Sequence, residues 1–237
     1  MAERSIGVSS LCFAFALAAS SQASIPQVQT SLPPQDTGAL SMDPEHWVLQ
    51  FSPGWYGCCS GYLVGDNQLQ PAAVGWRFTF PNVNGVHYAI RPGNYSLTSS
   101  IQLQYTITAL TPNPVFNPKT APNNTCDGGG TVRLYFQQAG DNLTGVGPFE
   151  FYRWFENAHI LVLSPGTFTV IGDLKQPQQW TSVYGKSGNT NPAAFAAAAA
   201  NAANVGFVFG GGCFAGHGVF VDPPGIALFN ALAFTVR

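Results

Sequence analysis

The chain has 237 residues, of which 8% are charged and 13% aromatic, with 26 glycines, 18 prolines and a formal net charge of −2. An ordinary soluble domain carries about 25% charged residues, and a disordered chain is richer in charge and poorer in rings. Nine Lys and Arg scattered along the chain supply neither the basic stripe that nucleic acid requires nor a basic amphipathic helix for a membrane surface.

The first segment, MAERSIGVSSLCFAFALAASSQAS, predicts a signal peptide over residues 1–23. Arg4 gives a short charged start and Val8 to Ala19 an apolar run. That run is of signal length, short of the about 20 residues of a membrane span. Ser21-Gln22-Ala23 is a small-x-small cleavage pattern. The mature chain is therefore expected to be exported, extracellular or periplasmic, with no membrane span. Its four remaining cysteines are Cys58, Cys59, Cys126 and Cys213. An even number in an exported chain implies disulfides. Neighbouring Cys58 and Cys59 are expected to reach distant partners rather than each other, which leaves both pairings with Cys126 and Cys213 open.

Residues 24–45 are polar, carry prolines and lack periodicity, so they read as a flexible N-terminal arm. From 46 to 237 strand patterns recur. AVGWRFTF (73–80) and IQLQYTIT (101–108) alternate apolar and polar residues, the mark of half-buried strands. TVRLYFQ (131–137) sets Val132, Leu134 and Phe136 against Arg133, Tyr135 and Gln137. PFEFYRWFE (148–156), taken as one strand, sets Phe149, Phe151, Arg153 and Phe155 against Glu150, Tyr152, Trp154 and Glu156. Arg153 among phenylalanines needs a partner carboxylate or an exposed face. TFTVIG (167–172), VGFVF (205–209) and IALFNALAFTV (226–236) complete the set, separated by turn clusters such as PNVNG, RPGN, TPNP and CDGGG. One helix is expected over 192–203, with Asn191 as N-cap, Pro192 at its first position and Phe195 as its only bulky apolar residue. The predicted fold is all-β: a two-sheet antiparallel β-sandwich of the jelly-roll type with one short Ala-rich helix.

The stretch FVFGGGCFAGHGVFVDPPG (207–225) looks at first like a site. A phosphate loop would lead into a helix, whereas VFV reads as another strand. A metal would need more ligands than Cys213 and His217, and no second pair has zinc-like spacing. A Cys/His nucleophile would need a free thiolate. The stretch is expected to be a glycine-rich connection tied by a disulfide, with His217 unassigned.

Glycoside hydrolysis needs two carboxylates across the scissile bond. Glu150 and Glu156, on one strand, would lie about 20 Å apart at roughly 3.3 Å per residue, too far for such a pair. Asp141, Asp173 and Asp222 sit in turn contexts. The remaining constellation is aromatic and polar. A sugar offers apolar C–H faces to rings and a rim of hydroxyls to Arg, Glu and Gln. Arg133, Tyr135, Glu150, Tyr152 and Trp154 are the expected carbohydrate-binding platform. The opposing expectation for Tyr152 and Trp154 is inter-sheet core.

The order NYSLTSSIQLQYTI, GGTVRLYFQQAG, FYRWFE, Trp180 with TSV, the Ala-rich helix, VGFVFGGG and GIALFNALAFTV resembles the galactose-binding-like jelly roll of bacterial carbohydrate-binding modules, over roughly residues 75–237. The resemblance implies binding of a poly- or oligosaccharide without chemistry. Such modules often hold a structural calcium through acidic residues near both ends, with an aspartate opening the last strand. Asn230 stands in that region here, which departs from the calcium pattern, and no cofactor beyond such a structural calcium is expected. The alternatives are a polysaccharide-acting hydrolase or lyase, and a structural or surface protein with no small ligand. N-x-S/T sequons occur at Asn94, Asn123 and Asn142.

Overall fold

The computed structural model describes residues 35–52, 63–64, 69–83, 85–118, 128–211 and 218–237. The signal peptide, residues 24–34 of the arm, the four cysteines of the mature chain, Asn123 and His217 lie outside the described residues.

The described strands are, in chain order, β1 (Gly38–Ala39), β2 (Val48–Ser52), β3 (Leu63–Val64), β4 (Gln70–Pro71), β5 (Trp76–Thr79), β6 (Gly85–Tyr95), β7 (Ser100–Ala109), β8 (Phe116–Pro118), β9 (Thr131–Gln138), β10 (Arg153–Glu156), β11 (Leu161–Val162), β12 (Gly166–Asp173), β13 (Trp180–Ser182), β14 (Ala202–Gly210), β15 (Val219–Val221) and β16 (Ala227–Val236). One α-helix, α1 (Pro192–Ala200), joins β13 to β14. The smaller sheet runs β12-β7-β16-β5-β4, with β1 along β16. The larger runs β13-β10-β9-β14-β6-β15-β8, with β11 on β9 and β2 on β6. Neighbouring strands are antiparallel, as in β12–β7, β16–β7, β14–β9 and β10–β9. Over the described residues the protein is thus an all-β, two-sheet antiparallel sandwich with one α-helix, compatible with a jelly roll.

Apolar periodicity builds the core. On β7, Ile101, Leu103, Tyr105 and Ile107 are buried between the sheets, while Gln104 and Thr108 face solvent. Trp76 and Phe78 of β5 and Phe80 just beyond it meet Phe207 and Phe209 of β14 from the opposite sheet. Trp76 stacks on Phe207 at 5.9 Å and 11°, and Phe78 meets Phe209 edge-on at 5.8 Å. Phe229 of β16 bridges them, 5.4 Å from both Phe78 and Phe207. Offset-stacked and edge-to-face pairs at these separations add to the burial of large rings. Helix α1 inserts Phe195 among Phe136, Trp154 and Trp180, with centroids 5.6, 5.1 and 6.2 Å away.

Four segments depart from the sequence expectation. Residues 148–156 are not one strand: Gly147–Phe151 is a 3₁₀ turn, and β10 begins at Arg153. Gly147 adopts φ 61°, and Pro148, with its fixed φ and no N–H, is suited to the first turn of a helix. Three residues per turn then replace the two-residue alternation. RPGN is not a turn but part of β6, the 11-residue strand. Pro92 pairs with Asn204 where the register of β14 shifts between Ala202 and Asn204, the bulged setting that tolerates a residue without a ladder donor. The helix ends at Ala200 rather than 203. The Asn201 side chain donates to Ala197 O at 2.8 Å, and Ala202 is already buried in β14. From Asp36 onward the stretch read as an arm lies on the sandwich, with Asp36 N donating to Asn94 O and Leu40 N to Phe234 O, both at 2.8 Å.

Candidate functional site

The larger sheet buries both faces of its centre. Arg133, Tyr135 and Gln137, the polar face of β9, are only 4%, 1% and 8% exposed. The ladder sets their neighbours in three rows. Arg153, Gln137, Asn204 and Pro92 form the first. Phe155, Tyr135, Gly206, Ile90 and Val48 form the second. Arg133, Val208, Tyr88 and Gln50 form the third. Period two sends all of these to the face away from the main core. There Tyr88, Ile90, Tyr135, Phe155 and Val208 make a second apolar cluster.

Glycine makes room for the central ring. A Cβ on Gly206 would lie 3.3 Å from Tyr135 Cε1 and 2.0 Å from Ala89 O. Tyr135 lies 4.9 Å from the Tyr88 ring and 6.2 Å from Phe155.

Beside these rings stands a polar wall. The Asp141 carboxylate pairs with Arg153, Oδ2 to Nε at 2.7 Å, with the two side chains 1% and 2% exposed. Oδ2 also accepts from Gln137 Nε2 at 2.9 Å, and Oδ1 from Leu143 N at 2.9 Å. Arg153 Nη2 donates to Leu143 O at 3.0 Å, and Asn204 Nδ2 to Gln137 Oε1 at 3.0 Å. A buried ion pair is tolerated when its lone pairs and protons are met in this way. Asp141 is therefore both the local turn former expected from AGDN and the partner that Arg153 requires.

Rings and wall enclose a depression of about 240 Å³. Val48, Ile90 and Pro92 form its apolar side, Tyr88 and Tyr135 its floor, and Gln50, Gln137, Asp141, Arg153 and Asn204 its polar side. Pockets for drug-sized ligands run from about 300 to 1,000 Å³, so this one is smaller than those. Further along β9, Arg133 donates to Gly211 O at 2.9 Å and to Asn157 Oδ1. Burial pushes its guanidinium pKa below the ordinary value, with nearby Glu156 pulling it back up.

The five residues expected to form one platform are not brought together. Tyr135 lines the depression, and Arg133 shares its face without lining it. Trp154 points the other way, into the main core, fully buried, with Nε1 donating to Phe151 O at 2.7 Å. Glu150, on the 3₁₀ turn, pairs with Lys186 at 3.0 Å, and Tyr152 packs edge-on against Phe149 at 5.0 Å. The break in alternation at Gly147–Phe151 is the reason. Gln137, Asp141, Arg153 and Asn204 were outside the expected platform, as were the β2 and β6 contributors. The one sequence signal for them was Arg153, a cation among phenylalanines.

Other carboxylates are engaged elsewhere: Glu150 with Lys186, Glu156 with the His159 ring at 3.1 Å, and Asp173 with the Gln176 amide at 2.9 Å. Glu156, whose side chain is fully buried, accepts from Ala158 N and His159 N at 2.9 Å each. Among the described residues that line the depression, the one carboxylate is Asp141. Among the described residues no three His, Cys, Asp or Glu side chains gather closely enough to hold a metal ion, and no helix is long and apolar enough to cross a membrane. Comparison with protein-family models, with curated proteins and with solved structures gave no match.

Proposed function

We propose that the protein is an exported, non-catalytic carbohydrate-binding protein that seats one ring of an oligo- or polysaccharide in the depression on the larger sheet. The observation that carries this reading is the pairing, in one small depression, of a Tyr88–Tyr135 floor with a wall of amides and a satisfied ion pair. A sugar ring has the matching duality: C–H faces for rings and apolar side chains, hydroxyls for Gln50 and Asn204. The rings fix orientation through contact, and the amides, each both donor and acceptor, read hydroxyl positions. Binding without chemistry fits the carboxylates. A glycosidase pair needs two facing groups about 5 to 10 Å apart, whereas Asp141 is alone there and held by Arg153, Gln137 and Leu143.

The test is a glycan array followed by calorimetry on the secreted protein. Binding is expected, and Asn204→Ala and Gln50→Ala are expected to weaken it while the circular dichroism spectrum stays unchanged. A folded protein that captures no glycan would refute the reading. For the export half, intact mass before and after reduction and alkylation should show Cys58, Cys59, Cys126 and Cys213 as two disulfides in a chain starting at Ser24.

A further inference from the structure

From the charge state of this depression we infer that the sugar it takes is electrically neutral, and that the Asp141–Arg153 pair enforces this by cancelling the two charged groups of its lining. The inference rests on the carbohydrate-binding reading above and adds the ligand class. Asp141 and Arg153 are the charged residues among the described residues that line the depression. Each is turned toward the other: the Nε–Oδ2 contact is 2.7 Å and neither side chain is more than 2% exposed. The remaining carboxylate contacts go to Gln137 Nε2 and Leu143 N, and Arg153 Nη2 goes to Leu143 O.

A uronate entering here would give up the hydration of its carboxylate and find Arg153, the cation among the described lining residues, already bonded to Asp141. An amino sugar would meet the mirror-image problem, because Asp141, the anion among the described lining residues, is bonded to Arg153. Charge removed from water without a partner is strongly unfavourable. A neutral hexose loses only hydroxyl hydration, which the amides of Gln50 and Asn204 can replace. Selection is thus by rejection: the pair discriminates against both signs of charge without touching a charged ligand.

The experiment compares three sugars of one ring configuration, the neutral hexose, its uronic acid and its 2-amino-2-deoxy form, by calorimetry at neutral pH and at two salt concentrations. The neutral sugar is expected to bind at least about tenfold more tightly than either charged form, with affinity insensitive to salt. Asp141→Asn removes the carboxylate that faces Arg153 at 2.7 Å and should shift preference toward the uronic acid. Arg153→Gln leaves Asp141 uncompensated and should shift it toward the amino sugar. The double variant, Asp141→Asn with Arg153→Gln, restores neutrality and should restore the neutral preference, so instability of either single variant does not decide the matter. Uronic acid or amino sugar binding as tightly as the neutral form in the wild-type protein overturns the inference while leaving carbohydrate binding intact. No binding of any of the three, together with a blank glycan array, removes the carbohydrate reading itself.

Discussion

Replacing Trp154 by alanine separates the two roles that its sequence context allows. The side chain is fully buried between the sheets, 5.1 Å from Phe195 at 89° and 6.1 Å from Phe151 at 28°. It also donates to Phe151 O at 2.7 Å. Truncating a buried Trp to Ala costs about 3–5 kcal/mol, from lost transfer energy and the cavity left behind. Total stability of a domain is about 5–15 kcal/mol, so the loss is a large part of it. At about 2–4 °C per kcal/mol for a domain of this size, the melting temperature should fall by roughly 6–20 °C. Phe195 loses an edge-to-face partner at the same time, so helix α1 should loosen with the sheet. Urea unfolding followed by far-UV circular dichroism measures the effect, and the slope of free energy against urea should stay near the wild-type value. A loss below about 1 kcal/mol accompanied by abolished saccharide binding would refute the placement and return Trp154 to the surface as a ligand contact.

Three further predictions concern the backbone and one carboxyl. Gly75→Ala places a side chain at φ 68° and a Cβ 1.9 Å from Ala231 O. The left-handed backbone alone costs about 1–3 kcal/mol, and an unchanged urea midpoint would contradict the turn between β4 and β5. Gly206→Ala drives a Cβ toward Ala89 O and the Tyr135 ring. Stability and glycan affinity should therefore fall together, and loss of either alone would uncouple the β14 backbone from the depression. Hydrogen bonds from the Gln176 side chain and the Lys175 backbone hold the Asp173 carboxyl below its ordinary pKa of 3.8. A depressed folded-state value means that the group supports the fold above the unfolded pKa and ceases to as pH falls through the folded one. Carboxyl-carbon NMR should show Asp173 titrating below 3.8 and moving up in Gln176→Ala; an Asp173 that titrates at the ordinary value would disprove these contacts in solution.

Much of the sandwich is legible in the chain because several of its strands alternate apolar and polar residues in sequence. IQLQYTIT assigns the faces of β7 residue by residue, and TVRLYFQ does the same for β9. Helix α1 is legible from Asn191-Pro192 and the alanines, although Asn191 places no side-chain hydrogen bond on the helix start. Two local readings fail for local reasons. Gly147-Pro148 sets a 3₁₀ turn where rings suggested a continuing strand, and Pro92 lies within β6 because β14 bulges opposite it.

The candidate site was legible only in fragments. Periodicity states which side chains share a face; it does not state what covers that face. The polar sides of β7 and β9 look alike in sequence, yet Gln104 is exposed and Gln137 nearly buried. Arg153 announced a need for a carboxylate, but which acid met it depended on how the chain after β9 folded back. The depression draws on β2, β6, β9, β10 and β14 and the loop at Asp141. Cross-strand neighbours far apart in sequence become adjacent only when the register is set. What the sequence determined by itself was the class of fold and the facing of individual strands, because both follow from a two-residue repeat and apolar burial. The tertiary structure decided that Trp154 is core, that Tyr135 floors a depression, and that Asp141 neutralises Arg153, because each depends on which strand, turn or sheet lies opposite.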